Sequence, residues 1–191
     1  VDLPQLTDYV CSVSSDWPER AVARSTQTPR FGSGSECIER DSTHQYYAVH
    51  LWPGLSCNDP DRYALRMLCS ILADDSGSRL FWDLIDTGKA ETAAIWPQLF
   101  DDCGCLTGYI CCAPEDAEEN EQILQRILRD VTCDGVTAKE MELARNKICS
   151  SLMLSDERPG NRLFALGQSW LNRRNYEPLD VVLGKYCDKA E

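Results

Sequence analysis

The sequence predicts an α+β fold, a two-layer sandwich in which a mostly antiparallel sheet carries its helices on one face. Two observations lead there. Three apolar runs have the length and composition of strands, the later two flanking a turn as a hairpin would, and the chain beyond Pro114 is a succession of helical patterns. The resulting order is strand, helix, helix, two strands, then three or four helices, which segregates helices from strands.

Residues 1–40 read as a lead-in or linker, with a short apolar-aromatic start, then Arg-, Thr- and Ser-rich sequence with Pro29, Gly32 and Gly34. A short helix over 8–14 is compatible with it. The domain proper occupies 41–191. Its first strand is THQYYAVHL, residues 43–51, whose aromatic and β-branched residues suit a pleated strand buried on at least one face, with Tyr47, Val49 and Leu51 along one side. Trp52-Pro53-Gly54 should end it. A helix then opens after Asn58 or Asp59 with Pro60 in its first turn, where a missing N–H costs nothing, and Ala64, Leu68 and Ile71 or Leu72 form its inner face.

Next comes DDSGSRLFWDLIDTGKAE, residues 74–91, which joins a turn, a helix start, an apolar helical face and a stop. Ser78 is the residue type that caps a helix N-terminus, Leu80, Phe81, Leu84 and Ile85 recur at helical spacing, and Gly88 can end the segment in the left-handed conformation. AETAAIW and GCLTGYICC then flank residues 97–103 as hairpin strands, and Pro114 breaks the second. Residues 115–131 place Ile123, Leu124, Ile127, Leu128 and Val131 on one helical side, with acids early and Arg126 and Arg129 late, the order that suits the helix dipole. Thr137 and Glu140 form a capping box ahead of Met141, Ala144, Ile148 and Leu152. Pro159 and Gly160 interrupt, Leu163, Leu166 and Trp170 mark another helix, and Pro178 starts a last one through Leu183. Three strands are few for so many helices. A further strand is expected near 36–40 or beyond Glu191.

With 191 residues, 43% hydrophobic and five Trp, the chain suits one globular core, and no run approaches the roughly 18–20 apolar residues of a membrane span. A formal charge of −12 and a pI near 4.6 argue against nucleic-acid and anionic-membrane partners. Val1 is followed by neither a basic region nor an apolar one, so a signal peptide is expected to be absent or already removed. The eleven Cys include no pair of C-x-x-C motifs. They read as mostly reduced core thiols, which favours a reducing compartment such as the cytoplasm.

Residue chemistry alone assembles no complete active site. His44 and His50 are the only imidazoles and lie six residues apart, roughly 20 Å along a strand at ~3.3 Å per residue, too far to share a metal ion. Cys103 and Cys105 could share a hairpin face, whereas adjacent Cys111 and Cys112 point to opposite faces. No nucleophile elbow, phosphate loop or dinucleotide fingerprint occurs. The acidic clusters at 74–75, 101–102 and 115–121 fit turns and a solvated helix start better than an acid-base pair or calcium site.

Taken together, THQYYAVHLWPG, DRYALRMLCSILADDSGSRLFWDLIDTGKAETA, DDCGCLTGYICCAPEDAEENEQILQRIL and GVTAKEMELARNKICSSLMLSDERPGNRLFALG resemble, in order and spacing over residues 40–187, the second, non-catalytic half of an M16 zinc peptidase of the pitrilysin and insulinase family. The most specific pieces are Gly77-Ser78-Arg79-Leu80-Phe81 before Gly88, and the helix start from Val136-Thr137 to Glu140 followed by Glu157. The resemblance implies two α+β halves closing around a chamber, the first carrying His-x-x-Glu-His, whose histidines hold zinc while the glutamate activates water. This chain lacks that motif. It therefore implies the half that closes the chamber and holds peptide, with no cofactor of its own, zinc in the catalytic half, and that half, covalent or separate, as partner. It also implies a continuation beyond Glu191.

Many family members grip the substrate through an arginine and a tyrosine in this region. With one residue deleted before Gly88, those places hold Ile85 and Glu91 here, while Arg79 belongs to the motif and could anchor a turn or touch peptide. Arg79, Ile85 and Glu91 are thus the candidate substrate contacts. Gly77, Ser78, Arg79, Leu80, Phe81 and Gly88 are the motif's structural positions. The alternatives are a degenerate structural or assembly subunit of the same fold, as in the core proteins of respiratory complexes, and a cysteine-based metal or redox protein.

Overall fold

The computed structural model describes residues 2–18 and 29–188. The middle of the segment read as a lead-in, residues 19–28, lies outside the described residues. What precedes it is a helix, α1 (Leu3–Ser14), longer than the 8–14 stretch the sequence suggested: Asp2 caps it by accepting from the Gln5 N–H at 3.3 Å, and Pro4 sits in its first turn. None of its residues is buried.

Three strands form one antiparallel sheet in the order β1-β3-β2: β1 (Tyr46–Gly54), β2 (Thr92–Leu99) and β3 (Gly104–Cys112). Residues 36–40 carry no strand, against expectation. Only Cys37 and Ile38 are apolar in that stretch, too little to hold a fourth strand against the sheet. Both outer strands run further than the sequence indicated, β1 through Trp52-Pro53-Gly54 and β2 through Pro97 to Leu99. Proline ends a central strand but is tolerated on an edge, where the missing N–H faces away from the ladder, and the central strand β3 has none.

Register decides which side chains meet the helices. Ala48 opposes Ile110, which opposes Ala93 on the other side, and this row faces the core with Ile95 and Cys112. Cys69 and Leu72 of α2 (Arg62–Leu72), Leu80 and Leu84, and Leu124 and Ile127 of α3 (Ala117–Asp134) close over it. The row Tyr47, Val49 and Leu51 consequently points the other way and is 52%, 64% and 65% exposed. The more apolar side of β1 is its uncovered side.

A second, smaller core lies across α2. Tyr63 and Met67 there meet Ile148 of α4 (Ala138–Asp156) and Tyr186 of α6 (Leu179–Asp188), with the Tyr63 and Tyr186 rings edge to face at 5.2 Å. α2 thus serves two cores: of the inner face expected, Ala64, Leu68 and Ile71 or Leu72, the first two are only half-buried, and the buried residues are Tyr63, Met67, Cys69, Ile71 and Leu72. α5 (Pro159–Arg173) packs against α4 and leaves Leu163, Phe164 and Trp170 exposed. Among the described residues no helix is long and apolar enough to cross a membrane.

Because Ala48 faces the packed core and Val49 faces solvent, Ala48→Thr should lower stability by about 1–3 kcal/mol through overpacking. Val49→Thr should stay within about 0.5 kcal/mol of the parent. Urea unfolding midpoints check this, and the reverse ranking would mean that β1 presents its other face to the helices.

Candidate functional site

The segment from Asp74 to Glu91 is a turn leading into a π turn (Phe81–Ile85) and on to β2. Ser78 is buried; its hydroxyl donates to the Asp74 carbonyl at 2.9 Å and accepts from the Phe81 N–H at 3.2 Å, so it closes the turn and caps the helical start together. The helix is wider than an α-helix at this point: the Asp86 N–H donates to the Phe81 carbonyl at 2.8 Å. Leu80 and Leu84 are essentially fully buried in the main core. Gly77 and Gly88 have φ of +80° and +74°, which L side chains adopt only with strain, so both motif glycines are backbone requirements.

Asp74 anchors the start of the segment. Burial would raise its pKa, but hydrogen bonds from Lys147, the Ser70 hydroxyl and the Asp75 N–H outweigh that and hold it below the usual range. Lys147 reaches it from α4 at 2.9 Å.

The Arg79 guanidinium is tied within the chain through two of its three nitrogens. Its Nε donates to Glu140 Oε1 at 2.7 Å, and its Nη2 donates to Glu140 Oε2 and to the Gly135 carbonyl, each at 3.1 Å. Glu140 also completes the capping box of α4, accepting from the Thr137 N–H at 2.7 Å while the Thr137 hydroxyl accepts from the Glu140 N–H. The Arg79 guanidinium, with the Thr137 donors, holds the Glu140 pKa down to about 2 despite partial burial. Arg79 thereby ties the turn before the π turn to the start of α4 and the end of α3.

Ile85 packs half-buried against the main core, and its carbonyl accepts from the Gly88 N–H. Glu91 is exposed; its carboxylate accepts from Gln45 Nε2 at 2.6 Å, and its N–H donates to the Cys111 carbonyl, extending the β2–β3 ladder by one residue. The three candidate contacts are thus held by one segment on separate partners.

Two ties in this region went unread in the sequence. Asn120 is fully buried in α3 and donates to the Lys89 carbonyl at 2.8 Å, pinning the chain just after Gly88. Glu121, taken with its acidic neighbours as solvated, instead meets His50 Nε2 at 3.1 Å and accepts from the Tyr46 hydroxyl at 3.3 Å, joining α3 to β1. His50 stacks on Trp52 with ring centroids 5.4 Å apart. The available signal was parity: Tyr46, His50 and Trp52 share the side of β1 that bears Ala48. His44 is exposed and apart from this group.

All eleven cysteines are unpaired, and among the described residues no three His, Cys, Asp or Glu side chains cluster as a metal site. Burial pushes the Cys69 thiol up to about 12 and raises Cys57, Cys112 and Cys149, the opposite of what a reactive thiolate needs.

Glu140→Gln should cost about 2 kcal/mol at neutral pH, the scale of lost charge-assisted hydrogen bonds. A depressed carboxylate pKa contributes stability that is fully present above the ordinary value of 4.5 and is lost as pH falls toward 2, so parent and variant should converge over that window. Denaturant titrations at a series of pH values measure the gap. A gap that persists at pH 2 would contradict the assignment.

Three similarities bear on what this arrangement belongs to. An uncharacterized zinc protease of Mycobacterium tuberculosis (strain H37Rv) is 28% identical over 168 residues, 87% of this chain and 37% of that protein. A solved protease from Helicobacter pylori superposes with a TM-score of 0.82 at 15% identity, covering 98% of this chain and 47% of its own. A chain of complex III2 from Candida albicans does so with a TM-score of 0.80 at 14% identity, covering 98% and 46%. At those identities the two structures establish the α+β fold alone. This chain spans well under half of the mycobacterial relative. The family model described as the peptidase M16 inactive domain matches residues 1–148, and the chain belongs to that family.

Proposed function

We propose that this chain acts as the non-catalytic half of a zinc metallopeptidase, closing a substrate chamber and helping to hold peptide while a separate half bearing His-x-x-Glu-His hydrolyses it. The observation that carries the reading is the match to an inactive M16 domain in a chain that lacks the zinc motif. Zinc belongs to the catalytic half in this proposal, where it would polarise the scissile carbonyl and lower the pKa of bound water. The domain that performs the role is residues 41–191. Eleven unpaired thiols support a reducing compartment.

A structural or assembly role without proteolysis is the second reading. Its support is specific: the arginine of the motif is bound to Glu140 and Gly135, and Ile85 and Glu91 stand where a grip on peptide would be expected.

The chain alone, with or without added zinc, should cleave no peptide. Added to a His-x-x-Glu-His half from the same source, it should raise kcat/KM by at least about tenfold, the scale on which substrate positioning acts. Zinc-dependent cleavage by the chain alone overturns the proposal. Stable association that leaves kcat/KM unchanged transfers the chain to the structural role.

A further inference from the structure

α2, α5, α6 and the end of β2 border an open cavity of about 430 Å3, within the ~300–1,000 Å3 range of small-molecule sites. Arg62 and Arg66 of α2 and Arg173 at the end of α5 line it, and no acidic side chain does. Its apolar wall includes Leu99, Val182 and Tyr186. Three guanidinium groups around an acid-free space stand out in a chain of net charge −12.

Part of that charge has an internal use. The Glu177 carboxylate accepts from Arg173 at 2.9 Å, from the Tyr63 hydroxyl at 3.1 Å and from Lys185, and lies 3.6 Å from Arg62. This network ties α2, α5 and α6 together, and it places three cations on one negative charge. Burial would raise the Glu177 pKa, but Lys185, Tyr63 and Arg173 together hold it down, so the carboxylate is ionised and still outnumbered. Arg66 takes no part. It lies near Tyr186, where its charge opposes the burial that raises the Tyr186 pKa, and among the described residues it has no carboxylate partner.

Arg62 and Arg173 are only 13% and 24% exposed, so their field within the cavity is screened less than it would be at an open surface. A guanidinium presents parallel N–H donors that match a carboxylate. The one guanidinium without a carboxylate, at the mouth of a cavity with an apolar wall, defines complementary chemistry: one negative charge on an apolar body. We propose that this cavity binds a carboxylate carried by an apolar group of amino-acid size, with Arg66 making the charge-assisted contact and Leu99, Val182 and Tyr186 receiving the apolar part. The site lies apart from Arg79, Ile85 and Glu91 and does not depend on a peptidase role.

Isothermal titration of the full chain with N-acetyl-L-leucine, its uncharged amide and inorganic phosphate tests this. N-acetyl-L-leucine should bind at least about tenfold more tightly than the amide, the discrimination expected of one charge-assisted contact. Arg66→Gln should weaken it by a similar factor, with Arg66→Lys retaining part of the affinity. Gln168→Glu, at an exposed α5 position lining the cavity, should weaken it by adding negative charge, and it keeps the test available should Arg66→Gln fail to fold. No heat from N-acetyl-L-leucine up to about 10 mM, equal binding of the amide, binding of phosphate alone, or affinity unaltered by the folded variants would each overturn the proposal.

Discussion

The Glu140 carboxylate accepts from Arg79 Nε and Nη2, from the Thr137 N–H and from the Thr137 hydroxyl. Arg79 comes from the segment that precedes the hairpin; Thr137 and Glu140 open the helix that follows α3. One anion therefore fixes the start of the π turn against the start of α4, and Arg79 adds the Gly135 carbonyl at the end of α3. The consequence is positional. With both ends of α3 placed, through Asn120 to Lys89 at one and through Gly135 to Arg79 at the other, Leu124 and Ile127 can meet the sheet in only one way.

This makes the family motif intelligible as architecture. Gly77 and Gly88 supply backbone conformations, Ser78 closes a turn, Leu80 fills the core and Arg79 joins elements far apart in sequence. None of these tasks requires substrate, so a chain can keep the motif while losing chemistry. Membership of an inactive-domain family fits a chain whose recognisable residues are occupied with holding the fold.

The features legible in the sequence were those governed by neighbours in the chain. The capping box at Thr137, the stop at Gly88 and the apolar face of α3 are local, and each stands where spacing placed it. The hidden features depend on partners far away. Trp52-Pro53-Gly54 looks like a terminator until β1 is known to be an edge strand, and the same holds for Pro97. Tyr47, Val49 and Leu51 look like a core row, but the register of Ala48 against Ile110 turns them outward. At the candidate site, the motif residues were legible and their partners were not: neither Glu140 for Arg79 nor Gln45 for Glu91 follows from spacing, since they are 61 and 46 residues away.

The outward row of β1 bears on the solution behaviour of the chain. Tyr47, Val49 and Leu51 run down one side of the sheet, with Trp96 of β2 on the same side across β3. Each outer strand contains a proline, which interrupts the line of donors that ribbon growth by strand addition would use. The apolar surface that the sheet leaves exposed is therefore a flat of side chains rather than a rim of backbone. Self-association of such a surface is driven by dehydration, strengthens with warming from the cold, and yields to mild detergent more readily than to salt.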